Sequence, residues 1–327
     1  MTCRKPFLLS PAGKDYLWGG DRLNTVFEKN SPLSPLAESW ECSVHPDGVS
    51  TVVSGEHSGK TLSEVLKEHP AYLGRRYEGA GIFPVLIKFI DAKHSLSVQV
   101  HPDDAYAREY ENGQNGKTEL WYVISAEKNA SLVYGFRQTV DKETVRRSLA
   151  DGTVEKYLRK VPVHAGDIFF IPPGTVHAIG GGILLAEIQE SSNLTYRLYD
   201  YDRIGKDGKK RELHIEKALD VAVFTSSEKP KQPLRVLKYR KGSASEFLSR
   251  CRYFEVHRLL VNTSEDTPLQ YASDELSYRV LLCIDGSGKL SYEGEELMIR
   301  SGRCIFVPAS SAQISVSGSL QFLEIRG

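Results

Sequence analysis

Gly166-Asp167-Ile168-Phe169-Phe170-Ile171-Pro172-Pro173-Gly174-Thr175-Val176-His177 reads as a short apolar strand, a proline-glycine turn and a histidine held just beyond it. Prolines lack the amide hydrogen that a central strand needs, so the strand must stop at Ile171. The pattern recurs position for position in Gly302-Arg303-Cys304-Ile305-Phe306-Val307-Pro308. The strands before each copy echo one another too, with Leu120-Trp121-Tyr122-Val123-Ile124-Ser125 set against Arg279-Val280-Leu281-Leu282-Cys283-Ile284. Gly286 and Gly288 are expected to turn the chain into the strand that follows. A repeated strand-turn-strand piece predicts a mainly β chain of two barrel-type units; the alternative is a chance match of a short pattern. Gln313 stands where the first copy has His177, and no histidine follows His257. The second unit therefore lacks whatever chemistry the first one has.

The remaining strand signals agree. Pro84 to Ile90, Leu96 to His101, Leu120 to Ile124, Asp167 to Ile171 and Ile183 to Gln189 are short apolar or alternating runs bounded by turn residues. Helices are expected over Thr61 to Lys67, over Asp141 to Ala150 behind an Asp cap, and over Glu212 to Phe224. The polar, proline-bearing stretch Ser226 to Gln232 predicts the boundary between a first unit of residues 1–228, with inserted helices, and a second of residues 229–327.

With 327 residues, 42 Lys and Arg against 42 Asp and Glu, and 26% charged residues, the chain has no basic face for nucleic acid or a membrane. No apolar run reaches spanning length and none of the signal-peptide kind follows Met1. The five cysteines, Cys3, Cys42, Cys251, Cys283 and Cys304, are odd in number and form no Cys-x-x-Cys pair. They read as reduced core thiols in a cytoplasmic protein rather than as a catalytic nucleophile.

Three segments converge on one kind of chemistry. In Ser97-Val98-Gln99-Val100-His101-Pro102 the period of two puts Ser97, Gln99 and His101 on one strand face. Glu119 shares a face with Trp121 and Val123, where a carboxylate is costly without a cation or a donor. His177 completes a set of two imidazoles and one carboxylate, with the Gln99 amide as a fourth donor, suited to one divalent cation such as Zn2+. A single histidine would more often be a hydrogen-bonded core residue, but these three donors come together. Lys117 faces the same side as Glu119. Lys88 interrupts an apolar strand, as a site residue or a side chain reaching for the surface. Arg197 is either a site cation or the salt-bridge partner of Asp200 or Asp202. Such cations around a metal favour a phosphorylated or enediolate-forming substrate. Gly180-Gly181-Gly182 has no helix start behind it and reads as a tight turn, not a phosphate cradle.

Taken in order, Ala37-Glu38-Ser39-Trp40-Glu41, Leu96 to Asp103, Gly116 to Tyr122, Ile171 to Ala178 and Leu194-Thr195-Tyr196-Arg197 resemble type I mannose-6-phosphate isomerases of the short, Firmicute-like bacterial form. The resemblance runs from Trp18-Gly19-Gly20 to about Asp202 and more loosely beyond. It implies a double cupin fold and a zinc-dependent aldose-ketose isomerase acting on a sugar phosphate. It further implies zinc ligation by His101, Glu119, His177 and Gln99, and catalysis by Arg197 and Lys117. Lys88 and Ser97 would contact substrate, Ser97 near its phosphate. Longer family members have an aspartate where this chain has Asn193, so Asn193 is given no catalytic role.

The implied reaction moves a proton between C1 and C2 through a cis-enediol, with Arg197 stabilising the developing anion and Lys117 shuttling protons between oxygens. A pocket carboxylate such as Glu187 or a metal-bound hydroxide is expected to take the carbon-bound proton, and the sequence leaves that choice open. Competing expectations are an iron oxygenase, which uses the same ligand types, and a non-catalytic sugar-binding cupin, which would lack a ligand or the arginine. The chain is expected to work as a monomer or homodimer.

Overall fold

The computed structural model describes residues 4–79, 83–205, 208–228, 230 and 232–327. Cys3 and the expected unit boundary at Lys229 lie outside the described residues. Three antiparallel sheets carry the strands. A six-stranded sheet runs in the order Ile168–Ile171, Glu119–Ala126, Ile183–Glu190, Val85–Ala92, Glu38–Cys42 and Ala12–Lys14. A five-stranded sheet runs Tyr196–Tyr199, Val98–Val100, His177–Ala178, Ser131–Phe136 and Leu158–Pro162. Between them lies a core that takes Ile90, Trp121, Val123, Phe169 and Leu185 from the first sheet and Leu132 and Val161 from the second.

The six-stranded sheet is covered on its other face as well. Phe89, Leu120, Tyr122, Ile168 and Ala186 pack there against Val256, Val280, Leu282 and Phe306 of the C-terminal sheet. Every residue of Val85–Ala92 and of Ile183–Glu190 is buried. Two-sided burial explains why these strands read as continuous apolar runs rather than as alternating ones. It also forces every charge inside them to find a partner.

The C-terminal sheet has ten strands. The chain's first strand, Phe7–Ser10, pairs in it with Cys304–Val307, placing Phe7 opposite Phe306 and Leu9 opposite Cys304. The repeat expected from sequence is present. Ile168–Ile171 pairs with Glu119–Ala126, as Cys304–Val307 does with Arg279–Tyr292. Gly166 and Gly302 open the two copies with the same φ of 87°. The preceding strands match one residue away from the sequence pairing, since Phe170 faces Leu120 while Phe306 faces Val280.

Gly286 and Gly288 do not turn the chain. They lie inside the single strand Arg279–Tyr292, and the turn falls at Glu293-Gly294, both at positive φ. A Cβ on Gly286 would sit 2.0 Å from the Ser319 oxygen, so this glycine permits a close approach of the neighbouring strand. Gly180 to Gly182 do form the turn ahead of Ile183–Glu190.

The helices Leu62–Glu68 and Lys142–Ala150 start on Thr61 and Asp141, which accept from the amides of Glu64 and Thr144. The last expected helix is shorter than Glu212 to Phe224 and spans Ile215–Val221. His214 donates its amide to the Arg197 carbonyl at 2.8 Å, which holds that segment against the strand instead. Asp104–Tyr110, capped by Asp103, was not expected; only Ala107 is buried there, so it has no apolar period to read.

Phe306 is fully buried where the six-stranded and C-terminal sheets pack, 5.2 Å from the Phe7 ring and 5.5 Å from that of Tyr278, both stacked. Phe306→Ala is expected to cost about 3–5 kcal/mol in denaturant unfolding, and a loss below about 1 kcal/mol would show that this ring does not hold the two sheets together.

Candidate metal centre and active site

The three donor segments are tied together by backbone hydrogen bonds before any side chain is considered. The amide of Gly174, in the turn leading to His177, donates to the His101 carbonyl at 2.9 Å. The Lys117 amide donates to the Pro102 carbonyl at 3.1 Å, which fixes the entry to Glu119–Ala126. Across the five-stranded sheet Arg197, Gln99 and His177 are consecutive partners in one row, so their side chains leave the same face. Glu119 heads its strand from the facing sheet.

His101, Glu119 and His177 are all buried, and one donor atom from each lies within 4.8 Å of the others. His101 Nε2 is 3.2 Å from Glu119 Oε1, and His177 Nε2 is 3.7 Å from Glu119 Oε2. His177 Nδ1 lies 2.8 Å from the Thr175 carbonyl oxygen. A carbonyl only accepts, so Nδ1 carries the proton and Nε2 presents its lone pair to the centre. Burial, then Lys117 and the facing ring, push His101 far below the usual imidazole range. Burial lowers His177 as well, against the pull of Glu119. Burial drives Glu119 up, but Lys117 and His177 outweigh it and leave the carboxyl below its ordinary range. Two neutral imidazoles and a carboxylate are the protonation states a divalent cation needs.

The donor set fits such an ion on a further observation. Both Glu119 oxygens are buried without a directed hydrogen bond. The positive charge that touches this carboxylate is Lys117, whose Nζ lies 2.7 Å from Glu119 Oε1 and 3.3 Å from His101 Nε2. Gln99 Nε2 is 3.4 Å from His177 Nε2; turning the amide by half a revolution puts its oxygen in that place.

Above the ligands opens a cavity of ≈ 260 Å³. Ser97, Gln99, Lys117, Lys88, Glu187 and Arg197 all line it, so the structure brings every residue singled out from sequence to one place. Lys88 does not reach the surface: it is 3% exposed, with Nζ 3.5 Å from both Glu38 Oε2 and Glu187 Oε2. Burial opposes its charge, yet Glu38 and Glu187 prevail and hold the ammonium above its usual range. Trp40 Nε1 donates to Glu38 and Trp121 Nε1 to Glu187, fixing both carboxylates. Arg197 makes no ion pair with Asp200, which is taken by Arg203 and Arg211.

Tyr16, Trp18, Glu38 and Arg211 also line the cavity and were not singled out. Glu38 had a signal, since it alternates with Trp40 on a short strand; Arg211 lies in a polar loop with none.

The type I phosphomannose isomerase catalytic domain matches residues 7–138, and the mannose-6-phosphate isomerase cupin domain matches residues 243–326. The mannose-6-phosphate isomerase of Streptococcus mutans is 37% identical over 319 residues, covering 98% of this chain and 97% of that one. The chain belongs to the type I mannose-6-phosphate isomerase family. The probable mannose-6-phosphate isomerase GmuF of Bacillus subtilis is 35% identical, covering 97% and 98% of the two chains. A crystal structure of the mannose 6-phosphate isomerase from Bacillus subtilis superposes with a TM-score of 0.89 at 34% identity, over 99% of this chain and 100% of that one. The fold is thus a double cupin, and the chain is an enzyme of the isomerase class. Among the described residues no helix is long and apolar enough to cross a membrane.

The segment carrying Lys117 and Glu119 leans on a pair of acids, the buried Glu190 and the partly buried Asp104. Asp104 Oδ1 accepts from the Gly116 amide at 3.0 Å and Oδ2 from the Tyr253 hydroxyl at 2.9 Å, while Glu190 packs beside it. Burial, and then Asp104, push Glu190 up to about 9. Its folded value lies above its unfolded one, so its contribution to stability is fullest below the carboxylate range, near pH 4.5, and declines as pH rises toward 9. Glu190→Gln is expected to flatten that decline and raise the melting temperature at pH 8. Thermal unfolding from pH 5 to 9 checks it, and unchanged slopes would show that Glu190 does not carry that dependence.

Proposed function

We propose that the protein interconverts mannose 6-phosphate and fructose 6-phosphate through a cis-enediol, with one zinc ion held by His101, Glu119, His177 and Gln99. The observation that carries this reading is the convergence of two imidazole lone pairs and an unsatisfied carboxylate beneath a cavity lined by cations. When bound, zinc supplies Lewis-acid polarisation of the substrate oxygens. Arg197, which donates to the Glu212 carbonyl at 2.7 Å, stabilises the charge that grows on those oxygens. Lys117 lines the cavity and moves a proton between neighbouring oxygens. Of the two lining carboxylates, Glu187 is near enough to bear on the charge of His177 and Glu119, and it exchanges the carbon-bound proton. Lys88 holds Glu187 and contacts substrate, as does Ser97. The division at residues 228 and 229 into a metal-binding and a supporting unit belongs to the same proposal, with Phe7–Ser10 crossing it.

A coupled assay for fructose 6-phosphate formed from mannose 6-phosphate tests the reading: chelator should abolish turnover and zinc restore it. No turnover in the zinc-loaded chain would reject it. Chelation should also lower the melting temperature, because an ion bound only by the folded state stabilises it. His101→Ala should lose both metal and activity, whereas Arg197→Ala should keep the metal and lose about a hundredfold or more in kcat; a metal-free, active His101→Ala protein sinks the ligand assignment.

A further inference from the structure

The charges lining the cavity are unevenly shared, with the shortage of anions on the wall that carries Arg197 and Arg211. Lys88 is answered by Glu38 and Glu187, and Lys117 by Glu119. Arg197 and Arg211 supply the remaining positive charge. Arg197 is satisfied by a neutral carbonyl, and its buried Nε has no partner. Arg211 gives Nε and one Nη to the two oxygens of Asp200, at 2.8 and 2.5 Å. This fork fixes the plane of the guanidinium. Its Nη1 makes no hydrogen bond among the described residues. Arg203 binds the same Asp200 and reaches the Ser95 carbonyl at 2.5 Å. Two guanidinium groups thus share the buried Asp200 carboxylate, and Arg197 beside them has no ion-pair partner among the described residues. The side chains of Asp202 and Glu212, the other described acids of this loop, are exposed. Burial, and then the charge of Arg211, lower the Arg197 guanidinium, a sign that the two groups repel each other. Like charges held this close in a sheltered site are costly until an anion lies between them.

We propose that Arg211, aimed by Asp200, is the residue that recognises the substrate's phosphate dianion at the cavity and so selects the phosphorylated sugar. This rests on the isomerase reading above. Asp200 is a positioning residue; it fixes Arg211 without touching substrate.

The zinc-loaded full chain is compared with R211M and R211K, using inorganic phosphate as the probe. In R211M the KM for mannose 6-phosphate should rise about tenfold or more, with a smaller change in kcat, and the competitive inhibition constant of phosphate should rise in parallel. R211K keeps the charge but loses the fork, so phosphate inhibition should weaken by less than in R211M. D200N should weaken phosphate inhibition with Arg211 intact. Phosphate inhibition equal to wild type in R211M or, should that variant not fold, in both R211K and D200N would overturn the proposal. So would a loss in kcat with KM unchanged. If the wild-type chain does not isomerise mannose 6-phosphate, the isomerase reading fails by itself. Calorimetric titration of phosphate into wild type and R211K then still decides whether Arg211 binds it.

Discussion

The structure turns on one buried negative charge. Glu119 heads a strand whose next same-face residues are Trp121 and Val123, is fully buried, and faces two imidazoles that burial keeps neutral. An isolated carboxylate in such a place would simply take up a proton. Here the neighbours forbid it. Lys117 occupies the gap left for a cation, and the backbone ties from Gly174 and Lys117 hold the donors together whether or not an ion is present. A site assembled this way loses little freedom when metal enters, because its ordering belongs to the fold.

The second consequence of burial is the wall of paired charges. Since the six-stranded sheet is covered on both faces, Lys88 and Glu187, placed side by side on adjacent strands, cannot escape to solvent and are matched to each other, to Glu38 and to two indole donors. Such pairs add little net stability over an apolar replacement. Their presence is therefore a sign of chemistry rather than of packing. The opposite wall follows the reverse logic, with arginines partly exposed and left short of anions.

Much of this was legible in the residue order. Period two placed Gln99 and His101 together, Pro172-Pro173-Gly174 announced a fixed histidine, and the Gly166 and Gly302 repeats revealed two similar units. What escaped depended on long-range geometry. Gly286 looks like any turn glycine, and only the approach of the Ser319 backbone shows why it sits inside a strand. Arg211 lies in a charged loop resembling any solvated surface, and its relation to Asp200 appears only when the loop closes. The Asp104–Tyr110 helix has a polar surface and a single buried alanine, so no periodicity betrays it.

Because Phe7–Ser10 lies between Cys304–Val307 and Thr51–Val52, the sheet is closed by segments roughly 300 residues apart. During synthesis at about 5–20 residues per second, that early strand stays without its later neighbour for on the order of fifteen to sixty seconds. The ribosome thus releases a chain whose opening strand offers an unpaired edge, a template for strangers, until the last barrel arrives to cover it.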